Sequence, residues 1–191
     1  MPSDHVPIST GSITGDTPVD VEQEGPSADP EAVARKILLD QLTGRARSRK
    51  ELSDKLASRN VPGDIATALL DRFEDVGLVD DGAFARTWVS QRQQGKGLSR
   101  RVLAQELRRK GIDDEVAKEA LEEIDPADEA AAAHDLVRKK MRSMRSLDDQ
   151  VATRRLVGML ARKGYPPGLS FSVVRAELQR AGREGVDVDA S

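Results

Sequence analysis

Apolar side chains recur every three or four residues over most of the chain, and this spacing predicts helices rather than strands. The periodic region begins at Glu31. Its first helix is predicted to bury the stripe Ala34, Ile37, Leu38 and Leu42. A second helix is predicted to begin at Ser48, where Ser48 and Glu51 can form a capping box, and to end at Asn60.

The second and third helices complete a first unit that is expected to close near Leu78. The second helix directs Leu52 and Leu56 inward. The third follows Pro62 and is predicted to bury the face formed by Ile65, Leu69, Leu70, Phe73 and Val76.

The same order of apolar and helix-ending residues returns twice, which indicates three tandem repeats. The corresponding positions are Leu52, Leu103 and Leu156; Leu56, Leu107 and Leu160; Asn60, Gly111 and Gly164; Val61, Ile112 and Tyr165; and Ile65, Val116 and Leu169. In each copy the residue after the helix end is apolar, so it can close that end against its own core.

The leading helices of the later units have their own patterns. In the second unit a narrow apolar stripe is formed by Phe84, Ala85, Trp88 and Val89. In the third unit a helix beginning at Asp125-Pro126 is predicted to run through Ala132 and Leu136 towards Met141. The middle helix of that unit is predicted to begin at the capping-box-like segment 146–149 (Ser-Leu-Asp-Asp).

These patterns predict an all-α protein of three tandem three-helix repeats. The predicted segments are a disordered acidic arm at 1–30, repeats at 31–79, 80–124 and 125–182, and a flexible tail at 183–191. The arm is rich in Ser, Thr, Gly, Pro and acids and lacks periodic apolar residues. It therefore cannot bury enough surface to offset the entropy of ordering.

Charge is distributed unevenly along the chain. The formal net charge is −3, but residues 1–34 contain seven acids and no Lys or Arg, so the rest of the chain is net positive. This balance permits an anionic partner. Cysteine is absent, which excludes disulfides and thiolate chemistry. Neither a membrane-spanning apolar run nor a signal-peptide pattern is visible, so we expect a cytoplasmic protein without a membrane partner.

Basic side chains are the candidate binding groups. At about 100° per residue, Arg101 and Arg108 lie on the side of their helix opposite Leu103. Lys50, Arg101 and Arg154 occupy equivalent repeat positions, as a surface for a repeating anionic partner requires. The predicted partner-binding residues are Arg49, Lys50, Arg100, Arg101, Arg108, Arg109, Arg154 and Arg155. At each of them the alternative is an ordinary solvated helix face.

The two notable aromatic residues favour structural roles. Trp88 lies in step with Phe84 and is predicted to belong to the core of the second unit rather than to an exposed anchor. Tyr165 follows a helix end, in the place of Val61 and Ile112, and receives the same interpretation.

Residues that would indicate catalysis or a cofactor are sparse. His5 and His134 have no carboxylates at metal-ligand spacing, so no metal site is expected. Gly95-Lys96-Gly97 follows a helix and lacks the Walker spacing, which favours a turn over a phosphate loop. We therefore assign no catalytic residue and no cofactor.

Several segments together have the order and spacing of a known family. They are Ser48-Arg49-Lys50-Glu51-Leu52, Asp80-Asp81 with Phe84-Ala85 and Trp88, Gly95-Lys96-Gly97, and Glu106-Leu107 with Lys110-Gly111-Ile112. In these segments the chain resembles the RecX regulatory proteins over about residues 32–182. The resemblance implies an elongated, curved helical chain that modulates the recombinase RecA and is not an enzyme. Family members are understood to bind in the deep groove of the RecA filament on single-stranded DNA, restraining strand exchange and ATP hydrolysis.

Three classes of function remain open from the sequence. They are a regulator of the RecA filament, an independent DNA- or RNA-binding protein, and a helical adaptor for another protein. The resemblance favours the first, the basic clusters the second and the repeats alone the third. Binding to bare DNA that weakens steeply with salt, without any contribution from RecA, would favour the second. We expect a monomer.

Overall fold

The computed structural model describes residues 29–182, and every regular element in this region is a helix. The helices are α1 (Pro30–Leu42), α2 (Arg49–Ala57), α3 (Gly63–Asp75), α4 (Asp81–Lys96), α5 (Arg100–Arg109), α6 (Asp114–Glu122), α7 (Pro126–Met141), α8 (Asp149–Arg162) and α9 (Pro167–Arg180). The all-α prediction is confirmed. Most of the predicted arm and the predicted tail, residues 1–28 and 183–191, lie outside the described residues.

The helices form three units of three: α1–α3, α4–α6 and α7–α9. Extensive packing between helices occurs inside these units, and each unit has its own apolar cluster. The middle helices α2, α5 and α8 direct the repeated leucines into these clusters. Leu52, Leu56, Leu103, Leu107, Leu156 and Leu160 are each at most 1% exposed. The repeat alignment is therefore correct at its central positions.

The ends of the middle helices are also equivalent. Asn60, Gly111 and Gly164 adopt positive φ angles of 56°, 75° and 89°. The next residue in each unit donates its backbone N–H to the carbonyl of the inner leucine, in the pairs Val61–Leu56, Ile112–Leu107 and Tyr165–Leu160. This is the hydrogen bond that closes a helix with a left-handed cap, and it brings an apolar side chain back onto the core.

One predicted detail of the first unit is wrong. Val76 is the C-cap of α3 and is 68% exposed, whereas Val79 is buried. The chain turns at Gly77, and the N–H of Val79 reaches the carbonyl of Phe73, so the apolar stripe continues through Val79 instead of Val76.

In the third unit, the fully buried residues of α7 are Ala133 and Val137, while Ala132 and Leu136 are only partly buried. A run of alanines gives too little difference in hydrophobicity around a helix to identify its buried face from sequence.

The middle helix of the third unit is capped by Asp148, whose side chain accepts hydrogen bonds from the N–H groups of Gln150 and Val151. The predicted start at Ser146 is therefore too early.

Truncating the repeated inner leucines is expected to weaken each unit similarly. Leu56→Ala, Leu107→Ala and Leu160→Ala should each lower the free energy of unfolding by about 2–5 kcal/mol, because each leaves a cavity in a closed core. Leu39 is 46% exposed, so Leu39→Ala is the matched control with little expected effect. Chemical denaturation measures both, and an unchanged midpoint at two of the three sites would contradict equivalent burial.

Candidate partner-binding surface

The middle helices α2 and α5 place four of the predicted basic residues, 49, 50, 100 and 101, in their first turns, whereas Arg108 and Arg109 lie in the last turn of α5. Ser48 caps α2 and Ser99 caps α5, so Lys50 and Arg101 lie in the first turns. A cation there meets the positive end of the helix dipole, which is unfavourable unless an acid or an anionic partner compensates. No acid lies in the first turn of α5. α8 begins one turn earlier relative to the repeat, which places Arg154 further inside its helix.

Arg49 differs from the other predicted residues because unit 1 already occupies its guanidinium. The guanidinium binds Asp71 at 2.6 Å and also contacts Glu74. Burial alone lowers the pKa of Arg49, but these two carboxylates outweigh burial and raise it. Arg49 therefore ties α2 to α3, and little of its binding capacity is left for a partner.

The remaining predicted cations are exposed, apart from the partly buried Arg100. Lys50 pairs with Asp54 at 2.6 Å along α2, and Arg108 pairs with Asp114 at 3.2 Å across the turn to α6. Of the predicted partner-binding arginines, four are exposed and form no ion pair within residues 29–182: Arg101, Arg109, Arg154 and Arg155. Because Arg101 and Arg154 are repeat equivalents, the second and third units each present an unpaired guanidinium at the same place.

A shallow groove between α5 and α6 brings Arg100 and Arg108 together. Its volume is about 430 Å³, and its lining also includes Asp114 and Lys118. Arg101 is not among the lining residues. The basic residues of α5 therefore lie in two different settings. Arg100 and Arg108 line a groove that also contains acids, whereas Arg101 lies outside the groove without an ion-pair partner in the described residues.

The first and second units meet where the start of α2 contacts the end of α5. The Ser48 hydroxyl donates to the Lys110 carbonyl at 2.7 Å, and the Arg49 N–H donates to the Asp81 carboxylate at 2.8 Å. Burial raises the pKa of Asp81, and the bond from Arg49 only partly offsets this effect. These contacts join residues that are far apart in sequence.

A second polar contact spans the same junction. Lys110 Nζ lies 2.5 Å from a carboxylate oxygen of Glu51. Burial alone raises the pKa of the Glu51 carboxyl, but the Lys110 ammonium and the Ser48 N–H outweigh burial and lower it. Glu51 therefore completes the capping box of α2 and also binds the following unit.

The second and third units meet in the same way. The Ser99 N–H donates to the Lys163 carbonyl at 3.0 Å, and the Arg100 N–H donates to Glu129 at 2.9 Å. Ser99 and Lys163 are the repeat equivalents of Ser48 and Lys110. At both junctions the N-terminus of one unit's middle helix contacts the C-terminus of the next unit's middle helix. An acid on the first helix of the next unit also accepts a hydrogen bond from the first N–H of the preceding unit's middle helix.

The glycines at these helix ends allow the close approach. A Cβ on Gly111 would lie 2.5 Å from Lys50 Cβ, and one on Gly164 would overlap the side chains of Ser99 and Val102. Asn60, the equivalent residue of unit 1, is exposed. Glycine is therefore required at the two later positions by the junction as well as by the left-handed cap.

Both notable aromatic residues pack inside the molecule. Tyr165 is buried, and its hydroxyl donates to the Gly97 carbonyl at 3.1 Å across the second junction. Burial raises the pKa of Tyr165 to about 12, so the phenol keeps its proton at neutral pH. Trp88 stacks on Phe84 and donates to Glu106 at 2.8 Å. The predicted core role is confirmed for Tyr165, and Trp88 is partly buried and packs against the core of the second unit.

Trp88 also lines a cleft of about 600 Å³ at the first junction. Arg92 and Lys110 lie over the Trp88 ring at 4.2 Å and 4.7 Å from its centroid. These two cations cover the face of the Trp88 ring. A partner that entered the cleft would therefore meet charged side chains rather than an uncovered aromatic ring.

Features associated with metal sites or membranes are missing from the described part of the chain. Among residues 29–182, no three His, Cys, Asp or Glu side chains cluster where they could ligate a metal ion. None of the helices there combines the length and apolar character needed to cross a bilayer. Gly95 and Lys96 are the last two residues of α4, and Gly97 is its left-handed C-cap, so the turn predicted at 95–97 begins only at Gly97. His5 lies outside the described residues.

Family models of the three RecX domains match the chain in order. The first three-helix domain of RecX matches residues 34–73, the second matches 80–121 and the third matches 127–174. These ranges fall within the three helical units of the structure.

Relatives and solved structures agree with this match. The regulatory protein RecX of Thermobifida fusca is 46% identical over 86% of this chain and 89% of its own length, and that of Streptomyces lividans is 46% identical over 85% and 87%. A crystal structure of RecX from Lactobacillus salivarius superposes with a TM-score of 0.70 at 22% identity, covering 78% of this chain and 97% of that one. This last similarity concerns the fold alone.

Proposed function

The chain belongs to the RecX family, and from that premise we propose that it binds the RecA filament on single-stranded DNA and inhibits it. The inhibited activities are ATP hydrolysis, strand exchange and coprotease action, which places the protein in DNA repair and the SOS response. It acts by binding, as the name regulatory protein given to its relatives suggests.

The observation that supports this proposal is the repetition of an exposed cation along a chain of joined units. Arg101 and Arg154 occupy equivalent positions in consecutive units, and neither forms an ion pair within residues 29–182. A filament of identical protomers presents the same surface groups, including any anionic ones, on each successive protomer. A partner with repeated cations can therefore contact more than one protomer, which multiplies affinity through effective concentration.

Inhibition follows from binding to several protomers at once. Short hydrogen bonds at Ser48 and Ser99 join neighbouring units and hold them in fixed positions relative to one another. The bound chain would therefore restrain any movement between the RecA protomers that it contacts. The proposed contact residues are Lys50, Arg100, Arg101, Arg108, Arg109, Arg154 and Arg155, with Arg49 supporting α2.

RecA assembled on single-stranded DNA provides the test. Adding the 191-residue chain should lower the rates of ATP hydrolysis and strand exchange in parallel, with saturation below one chain per RecA protomer. Excess bare single-stranded DNA should leave the inhibition in place if the filament is the target. Relief of the inhibition by that DNA would favour the alternative, an independent DNA-binding protein, and unchanged hydrolysis at saturating chain would refute the proposal.

A further inference from the structure

The cleft at the first junction is formed by both of the units that meet there. We call it the first-junction cleft; it is lined by residues 44–46 between α1 and α2, by Glu51, and by one side of α4 from Phe84 to Lys96. Its volume of about 600 Å³ is typical of clefts that bind ligands. None of its lining residues is among those proposed above to bind the RecA filament.

Positive charge exceeds negative charge in the first-junction cleft. Its ionisable lining residues are one acid and three cations: Glu51, Arg45, Arg92 and Lys96. The Glu51 carboxylate is already bound by Lys110 at 2.5 Å, and Arg92 lies 3.7 Å from Glu106. Arg45 and Lys96 are exposed and form no ion pair with any residue in 29–182. Two cations of the cleft therefore have no carboxylate partner in the described part of the chain.

Lys96 also has an unfavourable neighbour. Burial lowers the pKa of the Lys163 ammonium, and repulsion from Lys96 lowers it further. An opposite charge placed beside such a pair favours the charged form of both groups. A carboxylate in the cleft would therefore offset the repulsion that Lys96 experiences.

The equivalent cleft at the second junction lacks this excess of positive charge. It is lined by residues 93–97 and by one side of α7, so residues 95–97 and α7 take the places of residues 44–46 and α4. Its ionisable lining residues are two cations and two acids: Lys96, Lys139, Asp128 and Asp135. The excess of cations is therefore a property of the first-junction cleft and not of the repeat.

We propose that residues 16–24 of this chain dock in the first-junction cleft. This segment (Asp-Thr-Pro-Val-Asp-Val-Glu-Gln-Glu) contains four acids and no Lys or Arg. Its carboxylates complement the unpaired Arg45 guanidinium and Lys96 ammonium. Because Arg92 and Lys110 cover the Trp88 ring, the ring face also presents positive charge to an acidic segment.

The position of the segment along the chain allows this contact. α1 has 13 residues and is about 20 Å long, and the cleft begins at Gly44, just after α1 ends. An extended chain spans about 3.3–3.6 Å per residue, so residues 16–24 can lie roughly 17–45 Å from Asp29, the N-cap of α1. The segment can therefore run back along α1 and reach the cleft of its own chain.

Docking has two consequences for the molecule. The segment contacts Arg45 of the first unit and Lys96 of the second, so it stabilises the junction between them. It also covers both cations, so another anion reaches them only by displacing the segment. The docked segment therefore limits non-specific binding of anions to this face of the chain.

The test uses the whole 191-residue chain, which contains no Cys and a single Trp. A nitroxide attached at Gln23→Cys lies within the segment, and Trp88 lies in the cleft. At low salt the nitroxide should broaden the Trp88 indole N–H resonance in a proton–nitrogen correlation spectrum, relative to the same sample after the nitroxide is reduced with ascorbate. In about 1 M NaCl, where the screening length is about 3 Å, most of this broadening should be lost.

Neutralising the cleft should release the segment. Arg45→Gln with Lys96→Gln removes two exposed ion pairs, so the ratio of docked to undocked segment should fall roughly tenfold and most of the broadening should disappear. Asp20→Asn with Glu22→Gln neutralises the other side of the contact and should have the same effect. Arg59→Gln with Arg154→Gln is the matched control, because it makes the same change in net charge at two exposed arginines outside the cleft and should retain the broadening.

A mixed sample identifies the chain on which the segment docks. An isotope-labelled chain without the nitroxide is mixed with a spin-labelled chain that carries no isotope, and its Trp88 resonance should stay sharp. Broadening in this mixture would show that the cleft receives the segment of a second copy, which contradicts the proposal. The proposal is also overturned if Trp88 is not broadened at low salt, if the broadening survives in the Arg45 and Lys96 variant, or if the Arg59 and Arg154 variant loses it equally. RecA is absent from these measurements, so their outcome is independent of the proposed inhibition.

Discussion

Gly164→Val is expected to lower the free energy of unfolding by about 2–5 kcal/mol and to weaken the contact between the second and third units. A side chain in the left-handed region costs about 1–2 kcal/mol, and overpacking adds about 1–3 kcal/mol. The overpacking is expected because a Cβ on Gly164 would overlap Ser99 and Val102 of the preceding unit. Chemical denaturation measures the loss of stability.

Gly77→Val is the matched control for this change. Gly77 also has a positive φ, 73°, but nothing lies within 4 Å of the position its Cβ would take. Gly77→Val should therefore show the cost of backbone strain without the cost of overpacking.

Small-angle scattering should show an expanded chain for Gly164→Val but not for Gly77→Val. Inhibition of RecA by Gly164→Val should weaken on the order of a hundredfold, because its units no longer bind as one body. Equal losses in the two variants would mean that the junction does not depend on close packing at Gly164.

The helical units could be predicted from sequence because each is specified by neighbours along the chain. Leu52 and Leu56 are one turn apart, and their equivalents in the other units repeat that spacing at full burial. The capping box of Ser48 and Glu51 is likewise local, and both of its hydrogen bonds are present. Local spacing and local capping therefore determine which residues enter each core.

The junctions could not be predicted in this way because their contacts connect distant residues. Ser48 was expected only to cap α2, yet its hydroxyl also binds the carbonyl of Lys110. Gly111 and Gly164 were expected only to end helices. Their second role is close contact with the preceding unit, and no sequence pattern within a single repeat indicates it. One available signal was the difference from Asn60, which is exposed in the first unit.

The sequence predicted which basic side chains are exposed, but it did not predict which of them form ion pairs. Arg101 and Arg108 lie outside the core, as the helical period predicts. The period does not reveal that Arg49 binds Asp71 and Glu74, because these acids belong to a different helix. The approach of Arg180 to Arg142 and Arg145 was not predictable for a similar reason, since it depends on the packing of α9 beside α7.

Reversing the charge of Arg101 and Arg108 together is expected to weaken binding to the RecA filament while leaving the fold intact. Arg101 forms no ion pair within residues 29–182, and the pair between Arg108 and Asp114 is exposed, with 70% of the Arg108 side chain accessible. An exposed pair contributes about 0–1 kcal/mol, so the melting temperature should change little.

At the filament the same two side chains would be desolvated, and each charged contact there is worth roughly 2 kcal/mol or more. Arg101→Glu with Arg108→Glu should therefore weaken binding by roughly a thousandfold. Arg59→Glu with Arg86→Glu makes the same change in net charge at two exposed arginines outside α5, and it should retain most of the inhibition. The measurement is the chain concentration that halves ATP hydrolysis by RecA, with circular dichroism to establish that each variant is folded. If the folded Arg101 and Arg108 variant still inhibits at the wild-type concentration, this face of α5 is ordinary solvated surface, and Lys50 and Arg154 become the next residues to reverse.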